Sequence, residues 1–205
     1  MRKYLIISLS LLLFLSVGFT QTKEYNIDDL LEKDGLISEK FNDKILNGDV
    51  YQMFGDKKVP LGKMKDGKKE GKWIGWYKNG QKLSEGIYKD GKRDGLLTQW
   101  WENGLKSLEE TYKDGKLDGF QTVWYKNGQK LGETTIKDGE FDGLVTNWYE
   151  NGNKKYEMRL KNGERDGLRT EWYENGQKKF KGIYKNGVPV KLIGLWNEDG
   201  SVKEY

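Results

Sequence analysis

From residue 66 onward, apolar and polar positions alternate in short bursts, as in Phe120-Gln121-Thr122-Val123-Trp124-Tyr125, and each burst is closed by an Asp-Gly or Asn-Gly pair. Period-two alternation rich in β-branched and aromatic residues, bounded by Gly-containing turns, predicts strands rather than helices. The bursts recur. Trp76, Trp100, Trp124, Trp148, Trp172 and Trp196 stand 24 residues apart, so most of the chain is one short unit copied in tandem. The copies open at Asp66, Asp90, Asp114, Asp138, Asn162 and Asn186, and the last reads as truncated at Tyr205. A degenerate unit from about Asp43 to Lys65 keeps Gly48, Val50, Tyr51, Gly55 and Gly62 but has lost the Trp.

Two turn signals per copy predict one β-hairpin per copy, hence an all-β, elongated antiparallel meander in a single-layer twisted sheet. The Asn-Gly pairs at 79, 103, 127, 151 and 175 suit two-residue hairpin turns whose central residues both take positive φ. The connection Asp/Asn-Gly-x-x-Asp/Glu-Gly is then the longer return loop. Pleat parity puts Leu96-Thr98-Trp100, Phe120-Thr122-Trp124, Leu144-Thr146-Trp148 and Leu168-Thr170-Trp172 on one face. The second strands are expected to add Leu108 with Tyr112, Tyr156 with Leu160 and Phe180 with Tyr184 to that face. The Trp column thus reads as the structural core of the repeats. Tyr77, Trp101, Tyr125, Tyr149 and Tyr173, beside Gln99, Asn147 and Glu171, fall on the more polar side and are the candidate interaction residues. Lys82, Lys106, Lys130 and Lys154 precede Glu85, Glu109, Glu133 and Glu157 by three positions, which places each pair on opposite faces of its strand and leaves pairing to neighbouring strands. Two strands per copy at about 4.8 Å give an array of roughly 60 Å. Such a sheet leaves aromatic surface for a partner to cover.

The N-terminus follows another pattern. Arg2 and Lys3 precede an apolar run from Leu5 to Phe19, then Gln21-Thr22-Lys23, which is the layout of a secretory signal peptide over residues 1–20. The expected location is therefore outside the cytosol, in the periplasm, at the cell surface or in the medium. An uncleaved N-terminal anchor is the alternative, and only that would bring membrane contact. Residues 21–42 are expected to form a cap or linker with a short helix around Ile27-Asp28-Asp29-Leu30-Leu31-Glu32, ahead of a repeat domain over 43–205.

Composition narrows the chemistry. The +4 formal charge comes from 36 basic and 32 acidic residues, with Arg2 and Lys3 in the leader, which is too balanced for an electrostatic nucleic-acid binder. The absence of His and Cys removes the commonest general base, the commonest metal ligand and the thiol nucleophile. Asp90-Gly-Lys-Arg-Asp-Gly95 carries Lys at the third position, where a calcium loop needs oxygen. Glu102, Glu150 and Glu174 repeat one surface position, whereas a carboxylate pair for acid–base work needs two different environments. No catalytic, cofactor or metal site is expected.

The motif Trp-Tyr-Glu-Asn-Gly-x-Lys at Trp148 to Lys154 and Trp172 to Lys178, followed by Tyr-Lys-Asp/Asn-Gly, resembles the MORN repeat variant family over about Asp43 to Tyr205. The resemblance implies an antiparallel β-meander. It also implies an interaction role, since bacterial members are described as antitoxin components of toxin–antitoxin systems, of the YwqK type, and other MORN repeats as membrane-proximal scaffolds. The expected function is that of an exported, non-enzymatic scaffold holding a protein partner at the cell envelope. A cytosolic antitoxin bound to a toxin-like protein is one alternative, and a cell-wall module stacking glycan or choline groups on its aromatic columns is another.

Overall fold

The computed structural model describes residues 22–204 apart from 34 and 41. The segment expected to be a signal peptide, residues 1–20, lies outside the described residues. Fifteen strands form one sheet in which each successive strand pairs with the next, and a separate three-stranded sheet covers Leu30–Lys33, Leu36–Glu39 and Asn42–Ile45. Every ladder in the long sheet is antiparallel except at its N-terminal edge, where Glu24–Asn26 runs parallel to Gly48–Phe54. Each full copy supplies a hairpin, such as Lys92–Trp100 with Lys106–Lys113. In the fourth copy the first strand is split into Glu140–Phe141 and Gly143–Trp148.

The two kinds of turn exchange the roles expected of them. Asp66-Gly67, Asp90-Gly91, Asp114-Gly115, Asp138-Gly139, Asn162-Gly163 and Asn186-Gly187 have positive φ at both residues, 50° and 83° at Asp90 and Gly91. With Lys89 paired to Lys92, these are the tight two-residue turns. At the Asn-Gly pairs only Gly is positive, as at Gly104 (83°). There the Trp101 N–H donates to the Leu105 carbonyl at 2.8 Å and the Gly104 N–H to the Trp101 carbonyl at 2.9 Å. This is a three-residue loop with a left-handed Gly at its end. Both Asp-Gly and Asn-Gly satisfy either geometry locally, so dipeptide chemistry does not distinguish them.

A bulge next to each of these loops resets parity. Trp100 pairs with Lys106 and Gln99 with Leu108, so the register shifts between Lys106 and Leu108. One extra residue reverses the face of everything beyond it. Leu108, Tyr156 and Phe180 therefore stand opposite Gln99, Asn147 and Glu171 and belong to the face away from Thr98, Thr146 and Thr170, contrary to the expectation from simple alternation. The same bulge brings Lys and Glu three positions apart onto one side. Lys82–Glu85, Lys106–Glu109, Lys130–Glu133 and Lys154–Glu157 are ion pairs within their own strands at 2.5–2.6 Å.

The N-terminal segment is not a helical cap. Among its described residues the only helical turn is a 3-10 turn, Ile27–Asp29, opened by the Asn26 side chain accepting from the Asp28 N–H at 3.2 Å. Leu30 is already extended, and the strands that follow pair Leu30 with Glu39 and Lys33 with Leu36. Gly35, at φ 75°, makes the turn between them. This end holds the main core, with Leu46, Val50, Leu61, Met64 and Trp73 buried together and Tyr25, Ile27, Leu30, Ile37, Trp76 and Tyr88 packed against them. Here the long sheet also opens. The strands Lys57–Lys65 and Lys68–Trp76 pair only at Lys63–Glu70, Met64–Lys69 and Lys65–Lys68. At and beyond the end of that pairing, indole N–H groups donate to carbonyls of the first strand, Trp73 to Lys63 at 3.2 Å and Trp76 to Pro60 at 2.8 Å.

Candidate functional site

Register stacks equivalent side chains into rows that run across the strands. On one face a row alternates Glu85, Thr98, Glu109, Thr122, Glu133, Thr146, Glu157 and Thr170, each directly opposite the next. Beside it, Trp76, Trp100, Trp124, Trp148 and Trp172 each pair with the Lys of their own hairpin. The ammonium then lies over the ring of the following Trp, Lys82 over Trp100 at 5.6 Å and Lys106, Lys130 and Lys154 over Trp124, Trp148 and Trp172 at 5.7 Å. Glu, Lys and Trp thus form a triad repeated along the sheet. None of the six periodic Trp residues, Trp196 included, is fully buried.

Glu85 receives hydrogen bonds from Lys72 and Lys82, and these, ahead of the opposing desolvation, hold its carboxyl below the usual range. A carboxyl whose pKa is depressed by folding adds stability that is present above its unfolded value of about 4.3 and lost as pH falls through the folded value. Glu85→Gln should therefore lower stability at neutral pH, modestly because the pairs are partly exposed, and converge on the parent protein in acid below the folded pKa, so that the acid limb of the stability–pH curve flattens in thermal melting across pH.

In the third row of this face exposed apolar side chains alternate with Thr111, Thr135 and Arg159. Leu96, Phe120, Leu144 and Leu168 are 50%, 67%, 52% and 45% exposed. Between Phe120 and Leu144 runs a groove of about 310 Å³, floored by Glu133 and Thr146 and flanked by Trp148, Lys154 and Glu157. The opposite face carries the buried residues Trp73, Leu97, Glu110, Thr134, Ile136 and Leu160. Around Tyr112 its polar groups are matched to one another. The Tyr112 hydroxyl donates to Glu110 at 2.7 Å, Gln121 donates to the same carboxylate at 2.6 Å, and Arg93 donates to the Tyr112 oxygen at 3.0 Å. Burial, then the Glu110 charge, raises the Tyr112 pKa and keeps that hydroxyl a donor.

Tyr77, Trp101, Tyr125, Tyr149 and Tyr173 lie in one line just beyond the strand ends, half-buried. Each reaches into the next copy. Tyr77 donates to the Trp100 carbonyl at 2.8 Å, Trp101 to Trp124 at 3.3 Å, Tyr125 to Trp148 and Tyr149 to Trp172 at 2.9 Å, and Tyr173 to Trp196 at 3.0 Å. The neighbouring Asn column does likewise. Asn103 accepts from the Leu105 N–H at 3.0 Å and donates to the Lys126 carbonyl at 2.7 Å, a pattern repeated at Asn127, Asn151 and Asn175. On the other edge the turn glycines bond back into the preceding copy, as Gly115 to Arg93 at 2.8 Å. Both edges of the array are thus laced from copy to copy, which sequence spacing alone does not reveal.

Residues 69–90, 141–162 and 165–186 match the MORN repeat variant family. At these three positions the chain carries MORN repeats. The matched segments of the two C-terminal copies run from Phe141 through the Trp-Tyr-Glu-Asn-Gly motifs to Asn186. No curated protein matches the chain. Among the described residues no group of three or more acidic side chains is placed to hold a metal ion, and no helix is long and apolar enough to cross a membrane. The second, third and fourth copies instead each present one exposed apolar side chain, one Lys-capped Trp and one Lys–Glu ion pair.

Proposed function

We propose that this protein is an exported, non-enzymatic scaffold that grips a protein partner along the row Leu96, Phe120, Leu144 and Leu168, at the cell envelope or outside the cell. The observation that carries the reading is the repeated exposure of Leu96, Phe120, Leu144 and Leu168 on one face, one apolar side chain per copy, with Thr111, Thr135 and Arg159 on the strands between them, since exposed apolar surface among polar groups is the mark of an interaction surface. Several modest contacts at fixed spacing on a laced sheet add up through avidity. The half-buried rings of Tyr77, Trp101, Tyr125, Tyr149 and Tyr173 offer a flanking edge, because their polar atoms already serve the next copy. Stacking of choline-like groups is the weaker reading. The chain's own ammonium groups stand over Trp100, Trp124, Trp148 and Trp172, and Lys126 stands over Trp101 at 5.6 Å.

A photo-crosslinking residue placed at Phe120 or Leu144 in the native cell should trap the same protein adduct, whereas one at Gln121 or Asn147, on the other face, should not. Phe120→Ser with Leu144→Ser should weaken retention of that partner by about tenfold or more while changing stability by no more than about 0.5 kcal/mol per site. Adducts from both faces alike would sink the proposed surface. Intact mass after fractionation tests the location, as a chain shortened near residue 20 and found outside the cytosol agrees with export. A full-length cytosolic chain would point to the antitoxin alternative, which draws on the MORN repeat match.

A further inference from the structure

At the joint between the N-terminal core and the first full repeat, the face opposite the apolar row opens into a cavity of about 310 Å³, walled by Trp73, Tyr88, Leu97 and Leu61 and reached by Lys69 and Arg93. It lies where this copy carries small residues at three neighbouring positions, Gly75, Ser84 and Gly86. Trp73 pairs with Gly86, and Gly75 with Ser84. In the next copies the positions of Gly75, Ser84 and Gly86 are taken by Gln99, Leu108 and Glu110, by Val123, Gly132 and Thr134, by Asn147, Tyr156 and Met158, and by Glu171, Phe180 and Gly182, so that only the first copy is small at all three. The backbone does not require the glycine, for Gly86 has no positive φ. A Cβ built there would meet the end of the Leu97 side chain at 3.1 Å and the Tyr88 ring at 3.7 Å.

The cations stand at the cavity without carboxylate partners. Lys69 lies 4.8 Å from the Trp73 ring and 5.2 Å from the Tyr88 ring. Arg93, its equivalent one copy later, reaches the Tyr88 and Tyr112 hydroxyls at 3.4 and 3.0 Å. Among the described residues neither forms an ion pair, whereas the Lys column on the other face is paired to Glu. Two cations on aromatic walls, above a floor cleared of side chains, suit one negative charge on an apolar body. The volume suits a group the size of one or two amino-acid residues.

We infer that this cavity binds a carboxylate attached to an apolar or aromatic body, either a free acid or the C-terminal residue of a polypeptide. The inference does not rest on the scaffold reading, because it concerns the other face. The test is titration of the purified full chain with N-acetyl-phenylalanine, with its neutral amide, and with a pentapeptide ending in a free phenylalanine carboxylate, followed by calorimetry and by the indole N–H resonance of Trp73. The acid should bind saturably at one site per chain and the amide about tenfold or more weaker, as loss of a charge-assisted bond requires. Gly86→Thr, which installs the residue of the third copy, should abolish binding with the β circular-dichroism spectrum intact, and Lys69→Met should weaken it about tenfold. Tighter binding of the pentapeptide would identify a polypeptide C-terminus, and its failure beside a binding N-acetyl-phenylalanine a free acid. No Trp73 perturbation at about 5 mM acid, equal binding of the amide, or unchanged binding by Gly86→Thr would each overturn the inference.

Discussion

Trp73→Ala should remove about 3–5 kcal/mol from the stability of the N-terminal end of the array, the range for emptying a large aromatic site in a packed core. Trp73 is 7% exposed within the cluster of Leu46, Val50, Leu61 and Met64. Its ring lies edge-on to Tyr88 with centroids 6.4 Å apart. The loss combines three effects, namely the cavity, the edge-to-face contact and the Lys63 carbonyl that its indole N–H now satisfies at 3.2 Å. Gly62 shows how closely the ring is seated, because a Cβ there would lie 2.5 Å from a Trp73 ring atom. In an array each copy touches mainly its neighbours, so the defect should appear as an early, separate transition in denaturant with the C-terminal copies still folded. Trp172→Ala, at a half-buried periodic site, should lose about half as much. Equal losses at the two sites would show that the N-terminal end is no special core.

Gly48→Ala should detach the N-terminal edge strand and lower stability by about 2–3 kcal/mol, an overpacking effect with no flexible side chain to absorb it. The added Cβ would lie 2.1 Å from the Lys23 carbonyl oxygen, the acceptor of the Asp49 N–H at 2.8 Å. Moving that carbonyl breaks the parallel pairing of Glu24, Tyr25 and Asn26 with Asp49, Val50 and Tyr51. The packing of Tyr25, Ile27 and Leu30 against the core goes with it. Hydrogen exchange should show amides 24–26 losing protection while those of Lys106–Lys113 keep theirs. Unchanged protection at 24–26 would mean that the strand is held by something other than this contact.

Both predictions fall outside the 24-residue pattern. Trp73 is the aromatic that the repeat does not share, since its column continues as Leu97, Gln121, Val145 and Arg169. Gly48 belongs to the degenerate first unit. Periodicity marks what every copy has in common, and the main core lies where a copy differs. The exposed row of Leu96, Phe120, Leu144 and Leu168 and the cleared floor at Gly75 and Gly86 are likewise plain in the sequence as residues. Their exposure depends on which face the neighbouring strands cover.

The sequence by itself determined the repeat, its all-β hairpin unit and the direct succession of strands, because these follow from local turn chemistry, period-two alternation and an even repeat length. It also set the aromatic and Lys/Glu columns. Only the tertiary structure decided which Asp-Gly or Asn-Gly pair makes the tight turn, where the bulge reverses the pleat, and so which columns share a face. A single inserted residue carries no signature in composition but exchanges the two sides of a strand. Tertiary packing also turned the expected short helix into strands, since Leu30 pairs with Glu39 across the strands and packs, with Ile37, against the core.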